Sequence, residues 1–225
     1  ASAAFYPGQP NVVAAVTGTN GKSTTVDFLR QIWTRMGRKA ASMGTLGAIG
    51  PSGVVDLGHT TPDPVAVHET LDRLAREGVT HLAMEASSHG LVQHRLDAVV
   101  LSAGAFTNLT QDHLDYHRTF DDYRLAKLKL FSDLLPAGAP AVINADSDER
   151  EAFEAAARQA GLPVFTFGCW RLWSIFRASR AGWSWWRRRR SPAPRRRRPC
   201  SSITRIRRTG WRRCCGRRDR TFAAG

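Results

Sequence analysis

Cysteine is missing from the first 168 residues, and lysine, glutamate and histidine are missing from residues 169–225. The four cysteines, Cys169, Cys200, Cys214 and Cys215, all lie in the second part. They have neither paired C-x-x-C spacing nor neighbouring histidines, so neither a zinc site nor a disulfide framework is implied. No uninterrupted apolar run is long enough to span a bilayer, and no basic stretch followed by an apolar one opens the chain. Neither a transmembrane helix nor a secretory leader is expected from this pattern, and the chain reads as cytoplasmic with no membrane partner. It opens at Ala1 rather than methionine and reaches its first strand pattern by residue 12, which leaves room for sequence upstream.

What is present divides at the same point. Residues 1–168 carry 14 Lys+Arg against 18 Asp+Glu, a net of −4; residues 169–225 carry 19 arginines against Asp219 alone, a net of +18. The sequence pI near 11.0 therefore belongs to the tail and says nothing about the domain before it. Clustered arginine with six interleaved tryptophans could contact phosphates and stack on bases, which makes a nucleotide-binding module with a nucleic-acid-binding tail one alternative. Against it, basic tails that bind nucleic acid usually mix lysine with arginine, and these tryptophans follow no amphipathic period. Arginine, tryptophan, proline, glycine and cysteine without lysine or glutamate is the output of GC-rich codons read out of frame. The tail is read accordingly, with the shift near Gly168, and nucleic acid is not taken as a partner.

The strongest positive signal is Thr17-Gly18-Thr19-Asn20-Gly21-Lys22-Ser23-Thr24, which follows the apolar run 12–16 and opens an apolar-periodic segment. A strand feeding such a turn into a helix directs backbone N–H groups and the positive end of the helix dipole at one spot. There Lys22 can reach a β- or γ-phosphate and Ser23 can bind Mg²⁺, so ATP or GTP is the expected ligand. The general phosphate-loop pattern has glycine where this chain has Val16.

Strand and helix patterns alternate over residues 1–168. Strands are predicted at 12–16, 39–43, 81–84, 98–106, 141–144 and 164–167, and helices at 22–36, 64–77, 120–135 and 148–159. A loop rich in glycine and proline precedes the second helix. This order predicts an α/β domain, a mostly parallel sheet flanked by helices, with its ligand at the carboxyl ends of the strands. Lys127 stands out by helical spacing. At 100° per residue it falls among Phe120, Tyr123, Leu130, Phe131 and Leu134, whereas Lys129 falls on the far side with Asp122 and Asp133. A lysine on an apolar face needs a partner or a changed charge.

Three further segments narrow the reading: 84–95 (MEASSHGLVQHR), which sets Glu85 at a strand's carboxyl end; Phe106-Thr107-Asn108-Leu109 leading into 112–117 (DHLDYH); and 123–127 (YRLAK). With the phosphate loop, and in this order, they resemble the central ATP-binding domain of the Mur ligases, specifically the group that adds an amino acid to a UDP-N-acetylmuramoyl dipeptide. The resemblance covers about residues 8–168 and none of the tail, so residues 1–168 are expected to be that domain, incomplete at its C-terminal end. It implies ATP-driven phosphorylation of the D-glutamate carboxylate, followed by amine attack on the acyl phosphate. The incoming amino acid, by this resemblance, is meso-diaminopimelate more commonly than lysine. It further implies that residues 18–24 cradle ATP, with Lys22 on the outer phosphates, Ser23 and Glu85 on one Mg²⁺, and His113 and a carbamylated Lys127 on a second. Thr60, Thr61, Ser87, Gln93 and Arg95 would hold the UDP-sugar peptide, although the family often has Asn at the position of His59. His89, His94 and His117 receive no role. A UDP-binding domain before this one and an amino-acid-binding domain after it, typical of the family, are not visible, so the chain alone is expected to be inactive in ligation. A folylpolyglutamate synthetase shares the phosphate loop and is the second enzyme alternative; the Ser87–Arg95 segment argues against it.

Overall fold

The computed structural model describes residues 2–110 and 119–168. His113 and the whole tail, which carry two of the expectations above, lie outside the described residues. The element order is α1 (Ser2–Phe5), β1 (Val12–Thr17), α2 (Lys22–Arg35), β2 (Ala40–Gly44), β3 (Gly47–Gly50), β4 (Gly53–Val55), α3 (Pro64–Arg76), β5 (His81–Glu85), α4 (Ser88–Val92), β6 (Ala103–Phe106), α5 (Phe120–Lys129), a π-helical turn (Leu130–Leu134), β7 (Ala141–Asn144), α6 (Arg150–Gln159) and β8 (Val164–Phe167). The strands form one sheet in the order β4-β3-β2-β5-β1-β6-β7-β8. All neighbours from β2 to β8 are parallel, and β3 and β4 add an antiparallel edge. Among the described residues no helix is long and apolar enough to cross a membrane.

Local chemistry explains most boundaries. β1, apolar up to Thr17, is flanked on both sides by paired strands and buried on both faces, as a central parallel strand must be. Asp63 caps α3 by accepting from the amides of Val65 and Ala66, and Pro64 opens that helix where its missing N–H is not needed. Thr119 and Asp122 form a reciprocal capping box that starts α5.

Two sequence expectations are corrected. The strand expected at 98–106 is only Ala103–Phe106, because the Gln9 side chain takes the backbone of Val100, accepting from its N–H at 3.1 Å and donating to its carbonyl at 2.9 Å. The chain joins the sheet two residues later, where the Ser102 amide donates to Val13 O at 2.8 Å. The helix expected at 120–135 is α-helical only to Lys129 and then widens into the π turn. That turn lets Phe131 and Leu135 bury against β6, where Gly104 leaves the room: a Cβ there would meet Leu135 Cδ1 at 2.5 Å.

The sheet has two unlike faces. The row Met43, Met84, Ala15, Gly104, Ala141, Val164 faces the main core, together with α3, α5, the π turn and α6. The opposite row runs Val16, Ala105, Val142, Phe165, and α2 covers its inner end through Val26, Leu29 and Trp33.

Candidate functional site

The carboxyl end of β1 turns at Gly18 into the phosphate loop and then into α2. Gly21 occupies the N-cap with φ 84°, and no side chain caps the helix, so its first amides are left for a ligand. The loop is braced from β6 and β7. Asn108 Oδ1 accepts from the Asn20 amide at 3.0 Å, Thr107 Oγ1 donates to Asn20 O at 2.7 Å, and Asn144 Nδ2 donates to Thr107 O at 2.6 Å. The quoted motif Phe106-Thr107-Asn108-Leu109 thus has a definite task, shaping the loop, that its spacing alone did not reveal. Asn144 carried no sequence signal at all.

Two lysines meet at this loop from different layers. Lys22, on α2, donates to Gly18 O and Thr19 O, each at 2.9 Å. Lys127 belongs to α5, on the other face of the sheet, yet its stem passes over the strand ends and its Nζ donates to the same Gly18 O at 2.9 Å. It is 1% exposed and lies 4.4 Å from the Tyr123 ring centroid; Tyr123 OH in turn is 3.2 Å from Thr19 Oγ1. Helical spacing had set Lys127 on the buried side, and there it is. Two ammonium groups on one carbonyl oxygen, beside an uncapped helix N-terminus, form a site for anionic ligands.

Opposite them stands Glu85, 1% exposed at the end of β5. Its oxygens accept from Thr45, Oε1 from the amide at 2.8 Å and Oε2 from the hydroxyl at 3.3 Å. No described cationic side chain forms an ion pair with it. A buried carboxylate furnished with neutral donors only, facing Ser23 across the loop, fits a divalent cation. Among the described residues there is no cluster of three or more acidic, histidine or cysteine side chains, so Glu85 would need Ser23, phosphate oxygens and water to complete the shell.

A cleft of about 610 Å³ joins these groups: its walls include Lys22, Ser23, Lys127, Glu85, Thr60 and Arg95. Thr19, Asn20, Gly21, Thr61 and Ser87 also line it, as do His59 and His89, whereas Lys129 does not. Among the residues expected to hold the UDP-sugar peptide, Gln93 is not part of the wall. It is exposed and its Oε1 accepts from Arg95 Nε at 3.0 Å, so it braces the arginine from outside. The Thr61 hydroxyl is committed to the fold, donating to Glu85 O at 3.0 Å and accepting from the Ser87 amide at 3.1 Å. Ser87 Oγ caps α4 by accepting from Gly90 N at 3.1 Å. Thr60 and Arg95 line the cleft, and Arg95 is held by the Thr61 carbonyl. Thr45 has no sequence signal: it is a single threonine just past the strand predicted at 39–43.

Comparison with known proteins bears on this arrangement. The family model described as Mur ligase middle domain matches residues 16–181, a range that runs past the compositional break at 168. A UDP-N-acetylmuramoyl-L-alanyl-D-glutamate–2,6-diaminopimelate ligase from Bradyrhizobium diazoefficiens is 55% identical over 169 residues, covering 75% of this chain and 35% of that protein. A solved structure of a ligase with the same description superposes with a TM-score of 0.66 at 32% identity, covering 74% of this chain and 34% of that one. The ADP complex of Mycobacterium tuberculosis folylpolyglutamate synthase, with a TM-score of 0.61 at 14% identity over 74% of this chain and 45% of that one, shares the fold alone. The chain thus spans about a third of the length of the curated relatives it matches.

Proposed function

Since the chain belongs to the Mur ligase family through its middle domain, we propose that it is the nucleotide-binding part of an ATP-dependent ligase of peptidoglycan precursor synthesis. The substrates of that reading are UDP-N-acetylmuramoyl-L-alanyl-D-glutamate and meso-diaminopimelate, after the activity for which its 55%-identical relative is named. The folylpolyglutamate alternative has only the shared fold in its favour.

The observation that carries the reading is the convergence of Lys22, Lys127 and Glu85 on the Gly18–Ser23 loop. Carboxylates are poor acylating agents at neutral pH, so phosphoryl transfer to the substrate carboxylate supplies the activation, and catalysis then rests on positioning and charge neutralisation. Lys22 moves off Gly18 O and Thr19 O to take the outer phosphates, and the open amides of α2 take the rest. Ser23 and Glu85 would hold one Mg²⁺; Lys127, an ammonium donor as it stands, would become a carbamate and with His113 hold a second; bound there, the metal would neutralise phosphate charge. Arg95, anchored on Thr61 and Gln93, would receive an anionic group of the UDP-sugar peptide. Residues 1–168 form the unit that does this.

A polypeptide of these 225 residues alone is expected to bind ATP without ligating amino acid to the dipeptide. Isothermal titration with ATP and Mg²⁺, beside a radiolabelled diaminopimelate transfer assay, tests both halves. Lys22→Ala should weaken nucleotide binding by about 2 kcal/mol, the worth of a charge-assisted contact. Equal affinity in the variant would remove Lys22 from the phosphate site. Transferred label would refute the expectation of inactivity.

A further inference from the structure

Thr45 is the first residue beyond β2, at the carboxyl edge of the sheet, directly after Gly44. A Cβ at Gly44 would stand 2.1 Å from Glu85 Oε1, so the bare backbone there is what lets the carboxylate lie against the strand end. Once there, Glu85 is held at both oxygens by one residue, the Thr45 amide on Oε1 and the Thr45 hydroxyl on Oε2. Each oxygen keeps a lone pair free, and the carboxyl group is stopped from rotating. The same Thr45 hydroxyl is 3.0 Å from the hydroxyl of Thr60, which belongs to the loop before α3 and lines the cleft.

We infer that Thr45 is a positioning residue that fixes the Glu85 carboxylate for Mg²⁺ and links it to the substrate-side hydroxyl of Thr60; this rests on the reading of the cleft as a nucleotide and UDP-sugar site. The direction of the chain follows from proton counting. A hydroxyl has one proton and an ionised carboxylate only accepts, so Thr45 donates to Glu85 and Thr60 donates to Thr45. Thr60 then offers only lone pairs to the cleft, and the substrate group it reads is a donor, an amide N–H or a sugar hydroxyl. The two threonines, from separate elements, make metal occupancy and substrate placement parts of one hydrogen-bonded chain.

The experiment titrates Mg²⁺ into the 225-residue chain with N-methylanthraniloyl-ATP, reading fluorescence, and sets it beside the same nucleotide titration in EDTA and a thermal unfolding scan. Thr45→Val should raise the Mg²⁺ concentration at half-saturation on the order of tenfold, the usual effect of losing a partner behind a metal ligand. Metal-free nucleotide binding and the unfolding midpoint should stay put, and Thr45→Ser should restore the Mg²⁺ dependence to within about twofold. Thr60→Val should raise it less, and the double variant should be no worse than Thr45→Val alone, because both changes cut one chain. A Thr45→Val titration identical to that of the unmodified chain overturns the inference. So does failure of serine to rescue, or a Thr60 effect that adds in full. Failure of the unmodified chain to bind nucleotide with Mg²⁺ is a separate result; it overturns the assignment of the cleft, and the role of Thr45 with it.

Discussion

Gly18 shows how tightly single residues are constrained at this site. Its carbonyl receives Lys22 and Lys127 Nζ, its φ is 147°, and a Cβ would sit 1.9 Å from Thr107 Oγ1, the hydroxyl that braces Asn20. Gly18→Ala must therefore both strain the backbone and push away the brace of the phosphate loop. Such strain and overpacking cost about 1–3 kcal/mol, which urea unfolding should register. ATP binding should be lost with it; retained affinity would show that the loop tolerates another shape. At a second place a single residue sets pH behaviour. Burial lowers the pKa of His81 from the ordinary 6.5, with Arg38 adding to the effect, and burial likewise lowers His68. A base with a depressed folded-state pKa binds fewer protons folded than unfolded. Its contribution is therefore complete above pH 6.5 and is lost as pH falls through the folded-state value. His81→Phe keeps a ring beside Trp33, whose centroid is 5.2 Å from that of His81, and should flatten the fall of urea stability below pH 6.5. An unchanged slope would assign the acid loss to His68 or the carboxylates.

Elements were legible wherever the chain declares itself locally. β1, α2, α3, β5, β7 and β8 fall within two residues of the sequence expectation, because each is an apolar run or a periodic face bounded by glycine or a cap. β3 and β4 were hidden because Gly47, Gly50 and Gly53 interrupt their apolar pattern, and they form only as an edge paired to β2. α4 is five residues long and contains Gly90, too short for any period. The π turn depends on a partner elsewhere: Phe131 and Leu135 need the space at Gly104, in a strand far back in the chain. The site divides the same way. The phosphate loop and the buried side of Lys127 follow from local spacing. The tasks of Thr45, Thr61 and Asn144 depend on carbonyls and carboxylates from other elements and have no local signature. The π turn can be tested. Gly104→Ala should cost about 1–3 kcal/mol by overpacking, measured by chemical unfolding, and should disturb Lys127, since α5 leads directly into that turn. If stability and nucleotide affinity both survive, the turn yields without shifting the lysine.

At the scale of the molecule, the described residues cover one face of the sheet along its length and the other only where α2 lies on it. Along the row Val16, Ala105, Val142, Phe165, exposure climbs outward from α2: Val16 is buried, Ala105 and Val142 are half-buried, and Phe165 is 57% exposed. Phe28 and Ile32 of α2 and Met36 just after it, one turn apart, are all more than half exposed, and on β8 Phe167 is 46% exposed. Parallel sheets normally bury both faces, so this apolar area lies outside the cooperative core of the described residues. The core face is the opposite case: Phe106 is fully buried and stacks on Phe153 with centroids 3.6 Å apart, and Phe153 meets Phe131 edge-on at 5.7 Å. The same kind of residue should therefore carry very different weight on the two faces. Phe106→Ala should cost about 3–5 kcal/mol, the range for truncating a core aromatic. Phe165→Ser should stay within about 0.5 kcal/mol, as for an exposed position, while lowering the binding of an apolar dye. Urea unfolding of the 225-residue chain, followed by circular dichroism, checks both values. A cost for Phe165→Ser approaching that of Phe106→Ala would mean that the outer part of this face is covered in solution, and the contrast between the two faces would have to be abandoned.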